Sequence, residues 1–356
     1  MTPTPRREPD FEQFLKVLRR ELPDRPTLFE FSLNPRLCER LAGRPAPIVP
    51  DGGDRSDRIT AYRELGRWYS DVFSSAGYDY VCLPPNVACP GYRFRGDAHT
   101  KIASHSLNER PLISNRDDFE RFPWPDPSTL APAILDAVTS HLPEGARALV
   151  FSPFGVLENL VDLIGYDDLC FMLVDDRQLV ADVTARICTS LLGLYRLVVA
   201  HPAIGAVMAN DDWGFKTQTM ISPSDLREFV YPTHREIVRI ARGADKQVLL
   251  HSCGQLREVM DDIIDEIGYD AKHSFEDIID PVETVYDTWG ERIAILGGID
   301  VGFLCDSTPR EITKRCAQML ERASERGGYA LGSGNSIPHY VPDESYFAMT
   351  RAALGS

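Results

Sequence analysis

His251 and Cys253 stand two residues apart at the end of the apolar run Val248-Leu249-Leu250, and Gly254 follows at once. Alternate residues of an extended strand share a face, so the imidazole and the thiol can point the same way at the strand's mouth. A ring nitrogen and a thiolate form a borderline-soft pair that suits Zn²⁺. The plain alternative is a satisfied buried histidine beside a small apolar cysteine. Polar residues also follow other strand-like runs. Asn210, Asp211 and Asp212 follow one, His273 and Glu276 another, and Asn335 lies in a glycine-rich turn. Such side chains at strand ends are where barrel enzymes keep their chemistry.

No C-x-x-C occurs among the eight cysteines, and only Cys253 has a histidine two residues away. The others read as reduced core residues of a reducing compartment. The 356 residues are 43% hydrophobic and 26% charged, a globular composition, with a formal net charge of -15. That charge argues against non-specific nucleic-acid binding and against an anionic membrane surface. No apolar stretch approaches the roughly 20 residues needed to span a bilayer. Residues 1–10 are rich in proline and arginine and lack the apolar core of a signal peptide. A cytoplasmic enzyme is expected.

The elements that must position these residues alternate. Strand-like runs fall at 27–31, 78–83, 147–151, 203–208, 247–251, 269–273, 292–296 and 329–331. Helical patterns fall at 59–77, from 156, and at 175–199, 256–267, 281–289 and 309–326. Ser222 before Pro223 reads as a helix start. No Gly-x-Gly-x-x-Gly opens an early helix, which disfavours a dinucleotide fold. The pattern predicts a single (β/α)₈ TIM barrel over 27–356, preceded by an extension at 1–26. Residues 86–129 break the rhythm and read as a lid-like excursion with a hairpin near 107–113. His99 and His105, with Arg93 and Arg95, could there meet an anionic substrate, or simply lie on a surface loop.

Several segments together resemble the uroporphyrinogen decarboxylase superfamily, which includes the porphyrin decarboxylase and zinc-dependent methyltransferases working with corrinoid proteins or thiols. The matching pieces are Phe154-Gly155, Asn210-Asp211-Asp212-Trp213-Gly214, Ile221-Ser222-Pro223, His251-Ser252-Cys253-Gly254, Gly297-Gly298-Ile299-Asp300 and the turn at 332–338. They cover about residues 27–350, and the fold they imply is the same barrel. The decarboxylase carries an Arg-Gln-Ala-Gly-Arg core for propionate groups. Here the segment after the first strand is Ser32-Leu33-Asn34-Pro35-Arg36, so porphyrin decarboxylation is not expected.

The methyltransferase branch carries the His-x-Cys, and the resemblance implies zinc at His251 and Cys253. The third ligand of that branch is a cysteine in the final turn, where this chain has Asn335. Glu276 is the expected replacement, with His273 and Asp211 as the other two residues that could serve. Asp211, Asp212 and Asn335 are expected to serve catalysis, Asp211 by orienting substrate or moving a proton. Phe31, Phe154, Trp213, His273, His339 and Tyr340 are expected to face the substrate. The implied reaction moves a methyl group from a small methoxyl, methylamine or thioether compound to a corrinoid protein or a thiol. No Asp-x-His-x-x-Gly occurs, so a corrinoid would sit on a separate protein. A homodimer is compatible with this reading. The rival is a metal-independent decarboxylase of a small carboxylic acid, with Asp211 and arginines holding the carboxylate. A non-catalytic binding barrel is the third reading, which the ionisable residues after the strands argue against.

Overall fold

Seven parallel strands form one curled sheet in chain order: β1 (Tyr80–Leu83), β2 (Arg147–Phe151), β3 (Ile204–Asn210), β4 (Gln247–His251), β5 (Ala271–His273), β6 (Ala294–Leu296) and β7 (Tyr329–Ala330). The fold is that of a computed structural model, which describes residues 7–50, 54–94 and 111–355. Helices join successive strands, as Arg177–Val199 does between β2 and β3. Parallel strands covered by helices carry unbroken apolar runs, and Val248, Leu249 and Leu250 of β4 are all fully buried. The register pairs Asn210 with His251, and His251 with His273. The carboxyl ends of β3, β4 and β5 therefore stand in line, and the polar residues after them converge.

The expected strand at 27–31 does not form a ladder. It is held by an isolated parallel bridge from Leu28 to Leu331, with a second from Leu33 to Ile337. The Phe29 N–H donates to the Leu331 carbonyl at 2.8 Å. On the β1 side, the Tyr80 hydroxyl accepts from the Glu30 N–H at 2.8 Å and donates to the Glu30 carbonyl at 2.6 Å. One phenol thus satisfies the two backbone groups that a neighbouring strand would otherwise take. The seven-stranded curl is what forms of the eight-stranded barrel expected from the pattern.

Before residue 27, Phe11, Phe14, Val17 and Leu18 join the hydrophobic core. Helix Phe11–Leu18, capped by Asp10, lays Phe14 against Tyr80 and Phe29 with ring centroids 4.8 and 6.1 Å away. The helix expected at 175–199 forms unbroken over Arg177–Val199, and the Asp176 side chain caps its start by accepting from the Leu179 N–H. The helix expected at 256–267 forms as one continuous run over 257–267, tightly wound at Arg257–Val259 and widely wound at Asp262–Ile267. Around the excursion, Pro85–Ala88 and Arg116–Arg121 are helical and Arg93 is exposed. Arg95, His99, His105 and most of the hairpin expected at 107–113 lie outside the described residues. Among the described residues no helix is long and apolar enough to cross a membrane.

Two predictions follow from the Glu30 contacts. Tyr80→Phe removes the only atom that serves both Glu30 backbone groups from β1. It should lower the unfolding free energy by about 1–3 kcal/mol in urea denaturation. A variant as stable as the wild type would mean those groups find other partners. The Glu30 side chain is itself fully buried, and burial raises its carboxyl from 4.5 to about 8, opposed by its contacts with Ser333. The folded state keeps a proton that the unfolded chain releases above 4.5. This contribution is therefore complete below that pH and is lost as pH rises to about 8. Relative to wild type, Glu30→Gln should gain stability steadily across that window. A flat difference between the two proteins would place the carboxyl's pKa near its ordinary value.

Candidate metal centre

The three strand ends deliver three ligand types to one point. His251 closes β4, and Cys253 Sγ lies 3.5 Å from its Nε2. Asp212, two residues beyond β3, brings Oδ1 to 3.8 Å from the same nitrogen and accepts the Cys253 N–H at 2.7 Å. The ligand atoms of Asp212, His251 and Cys253 all lie within 4.8 Å of one another, the one such group found among the described residues. Tetrahedral zinc with ordinary Zn–S and Zn–N bonds sets those two ligand atoms about 3.5 Å apart. The sulfur–nitrogen separation meets this, and the carboxylate is slightly wider. Three protein ligands also leave the open position of a catalytic site.

Asp212, and not the expected Glu276, is the carboxylate that the structure brings to His251 and Cys253. Glu276 lies half-buried in the loop after β5 and outside the group. Burial raises its carboxyl, and the charges of Asp300 and Asp212 add to the effect. Burial likewise raises the Asp212 carboxyl, against the hydrogen bond from the Cys253 N–H.

A chain of hydrogen bonds sets which His251 nitrogen is free. His273 Nε2 faces the Ser333 carbonyl at 3.1 Å. That oxygen only accepts, so the nitrogen carries the proton. His273 Nδ1 then holds a lone pair and faces His251 Nδ1 at 2.8 Å, which must donate. His251 Nε2 is left with its lone pair directed at Cys253 and Asp212. Burial holds both rings neutral, His251 down to about 3 and His273 well below its ordinary range, with Lys272 and His251 respectively adding to the effect. Metal-binding histidines are commonly oriented through the far nitrogen in this way. His273 thus sits one layer behind the three ligand atoms.

The sulfur has its own supports. The Ser336 N–H donates to Asn335 Oδ1 at 2.8 Å, which turns the amide Nδ2 toward Cys253 Sγ at 3.3 Å. Ser274 Oγ donates to the same sulfur at 3.3 Å. Burial, and then Asp212, nevertheless raise the thiol well above its ordinary value. A thiolate here needs a cation close by.

Lys272 is the residue that sequence reasoning misses. It is 2% exposed, on the face of β5 opposite His273. Its Nζ donates to the carbonyls of Ser252 at 3.1 Å and Ser274 at 2.8 Å, and lies 4.2 Å from the centre of the Phe275 ring. Burial lowers its pKa to about 8, opposed by the charges of Cys253 and Asp212. A lysine between Ala271 and His273 on a buried strand is the sequence signal for it.

Asp211 turns the other way, into the core, and is fully buried. Its Oδ2 accepts from the N–H groups of Val156 and Leu157 at 2.9 and 3.2 Å, from Trp213 Nε1 at 2.8 Å and from His234 Nε2 at 2.9 Å. Its Oδ1 accepts from the Glu158 N–H at 2.9 Å. The carboxylate caps helix Val156–Ile164 from a distant loop. A Cβ on Gly155 would lie 2.2 Å from the Asp211 side chain, so glycine precedes that helix. Asp211 is thus a structural anchor of the core. Trp213 is likewise fully buried, against Tyr231 and His234, with ring centroids 5.4 and 4.9 Å away.

Of the other expected substrate contacts, Phe31 is brought to the site. Its ring lies 4.6 Å from His251 and 5.3 Å from Phe151, and both phenylalanines are half-buried. Phe154 is half-buried in the loop that leads to helix Val156–Ile164. His339 and Tyr340 are exposed, their rings 5.6 Å apart.

The chain is similar in sequence and fold to known proteins. The sequence model of the uroporphyrinogen decarboxylase (URO-D) family matches residues 73–354. The methylated-thiol–coenzyme M methyltransferase of Methanosarcina mazei is 28% identical over 137 residues, which are 38% of this chain and 34% of that protein. The match thus spans about a third of that relative's length. The solved structure of a methyltransferase from Methanosarcina mazei aligns with a TM-score of 0.67 at 15% identity, covering 96% of this chain and 97% of that one. At that identity the likeness is one of fold. Together these bear out the resemblance to the methyltransferase branch of the superfamily.

Asp211→Asn would set an amide N–H₂ against N–H donors in the core. Its unfolding free energy should fall by about 2–4 kcal/mol in urea denaturation. A fully stable variant would show that Asp211 is not the anchor described.

Proposed function

This chain belongs to the uroporphyrinogen decarboxylase family, and we propose that it acts there as a zinc-dependent methyltransferase. The observation that carries the reading is the convergence of Asp212, His251 and Cys253, with the His251 lone pair already aimed at the other two. Bound there, Zn²⁺ would supply Lewis acidity and hold a thiol as its thiolate near neutral pH. His251 would give a neutral nitrogen, and Cys253 and Asp212 one negative charge each. Asn335 and Ser274 would steady the sulfur through their donors. Phe31 and Phe151 would wall one side of the site with apolar surface.

The name of the Methanosarcina mazei relative makes a methylated thiol the first donor to test. The acceptor in this reading is a second thiol or a corrinoid carried by a separate protein. The fold that goes with it is a (β/α)₈ barrel with 27–33 in the eighth place. All eight cysteines are free, in keeping with a cytoplasmic setting. The rival carboxy-lyase reading rests on Asp211, whose oxygens are already taken by core donors.

Metal analysis and binding titrations test the proposal. The purified chain should hold about one zinc per molecule. Asp212→Asn and Cys253→Ser should each weaken zinc by about 10-fold or more, whereas Glu276→Gln should stay within about threefold of wild type. Methyl transfer to an added thiol or reduced corrinoid should vanish with the metal. Undiminished transfer by metal-free protein would overturn the reading. A loss in Glu276→Gln equal to that in Asp212→Asn would return the third ligand to Glu276.

A further inference from the structure

The turn after β7 reaches both sides of the candidate centre through one residue, and a buried carboxyl grips that residue. Ser333 is fully buried. Its carbonyl accepts from His273 Nε2 at 3.1 Å and from the Gly298 N–H at 2.8 Å. Its N–H donates to Glu30 Oε1 at 2.6 Å. Its hydroxyl oxygen lies 2.7 Å from the Asn335 carbonyl and 2.9 Å from Glu30 Oε2. A serine hydroxyl has one proton to give, and a carbonyl can only accept. The serine proton therefore goes to Asn335, and Glu30 Oε2 must itself carry a proton and donate to Ser333. The upward shift of the Glu30 carboxyl agrees with this placement.

Close backbone approach makes the grip possible. A Cβ on Gly332 would lie 1.8 Å from the Phe29 carbonyl oxygen, and one on Gly297 would lie 2.2 Å from that of Ser333. Both glycines are needed for the turn to press between 27–31 and the end of β6.

We infer that Glu30, as a neutral carboxylic acid, is the positioning residue of the metal centre. One arm runs through Ser333 to His273 and fixes the His251 proton on Nδ1. The other runs through Ser333 to Asn335 and holds the amide against the Cys253 sulfur. The effect on metal rests on the metal-site reading above, while the proton placement stands without it.

The test pairs two measurements on the full chain. Nitrogen-15 spectra of the metal-free, histidine-labelled protein report the tautomers, with signals assigned from single-histidine variants. Titration with Zn²⁺ alone reports the affinity. Wild type should show His251 protonated at Nδ1 and His273 at Nε2. Glu30→Gln can donate to the Ser333 hydroxyl and accept its N–H, so it should keep both tautomers and zinc affinity within about threefold. Glu30→Ala should mix the tautomers and weaken zinc by about 10-fold or more. Glu30→Asp, one methylene too short to reach, should do the same and serves where the alanine variant does not fold. Wild-type tautomers and affinity in the shortened variants would overturn the inference. So would a Glu30→Gln variant as damaged as they are, since that would require the ionised carboxylate. If wild type binds no zinc, the metal-site reading fails, and the tautomers alone still decide the role of Glu30.

Discussion

The Asp211 carboxylate, surrounded in the core by five N–H donors, is the interaction on which the rest of the site depends. A carboxyl group so deep must be fully paired, because an unpaired one would be very costly to bury. Its donors come from helix Val156–Ile164, from Trp213 and from His234 of helix Tyr231–Gly243. These elements are thereby fixed to the loop after β3. That loop then runs beside the loop after β4. Asp211 N–H donates to the His251 carbonyl at 3.0 Å, Trp213 N–H to Ser252 Oγ at 3.1 Å, and Gly214 N–H to the Cys253 carbonyl at 3.1 Å. A Cβ on Gly254 would lie 2.2 Å from Gly214, so this approach needs a glycine there. With Asp211 pinned inward, Asp212 faces out and meets Cys253.

The electrostatics of the centre follow from where its charges are buried. Two groups there can be negative, Asp212 and Cys253, and burial opposes the charged form of each. The histidines contribute no charge to offset them, because burial keeps both rings neutral. Lys272 lies beneath, held by backbone carbonyls, and one buried ammonium is the cation nearest at hand. Were both ionised, one ammonium would leave the centre short of positive charge. A divalent ion at the three converging ligand atoms would supply it. Burial and charge balance thus favour the same ligand class as the donor types do.

How much of this was legible in the sequence depends on the range of the interaction. His251 and Cys253 are legible because strand periodicity alone puts residues two apart on one face. The alternation of elements is legible because buried parallel strands are apolar throughout. The choice between Asp211 and Asp212 is not, since two adjacent identical side chains differ only in which way the loop turns. That turn is decided by donors 53 to 55 residues earlier in the chain. The strand at 27–31 is over-read for a similar reason. Its apolar pattern fits a strand, but the backbone partner on one side is the hydroxyl of Tyr80, 50 residues away. Glu276 was favoured because it lies on the loop next to His251, a matter of sequence order and not of reach.

Asn335, at the place in the final turn where the resemblance implies a cysteine ligand, is then less damaging to a metal site than it looks from sequence. A His-Cys-Cys set and a His-Cys-Asp set carry the same two negative charges when metal is bound. The change exchanges a soft sulfur for a harder oxygen, and borderline zinc accepts either. The carboxylate comes from the loop after β3, on the far side of Cys253 from the final turn. The turn is thus freed from supplying a ligand, and Asn335 uses its amide to donate to the sulfur that remains. A hydrogen bond to a thiolate favours the charged form and lowers the electron density that the sulfur offers. Both changes act in one direction. A harder ligand and a hydrogen-bonded sulfur leave a bound cation more of its Lewis acidity than two free thiolates would.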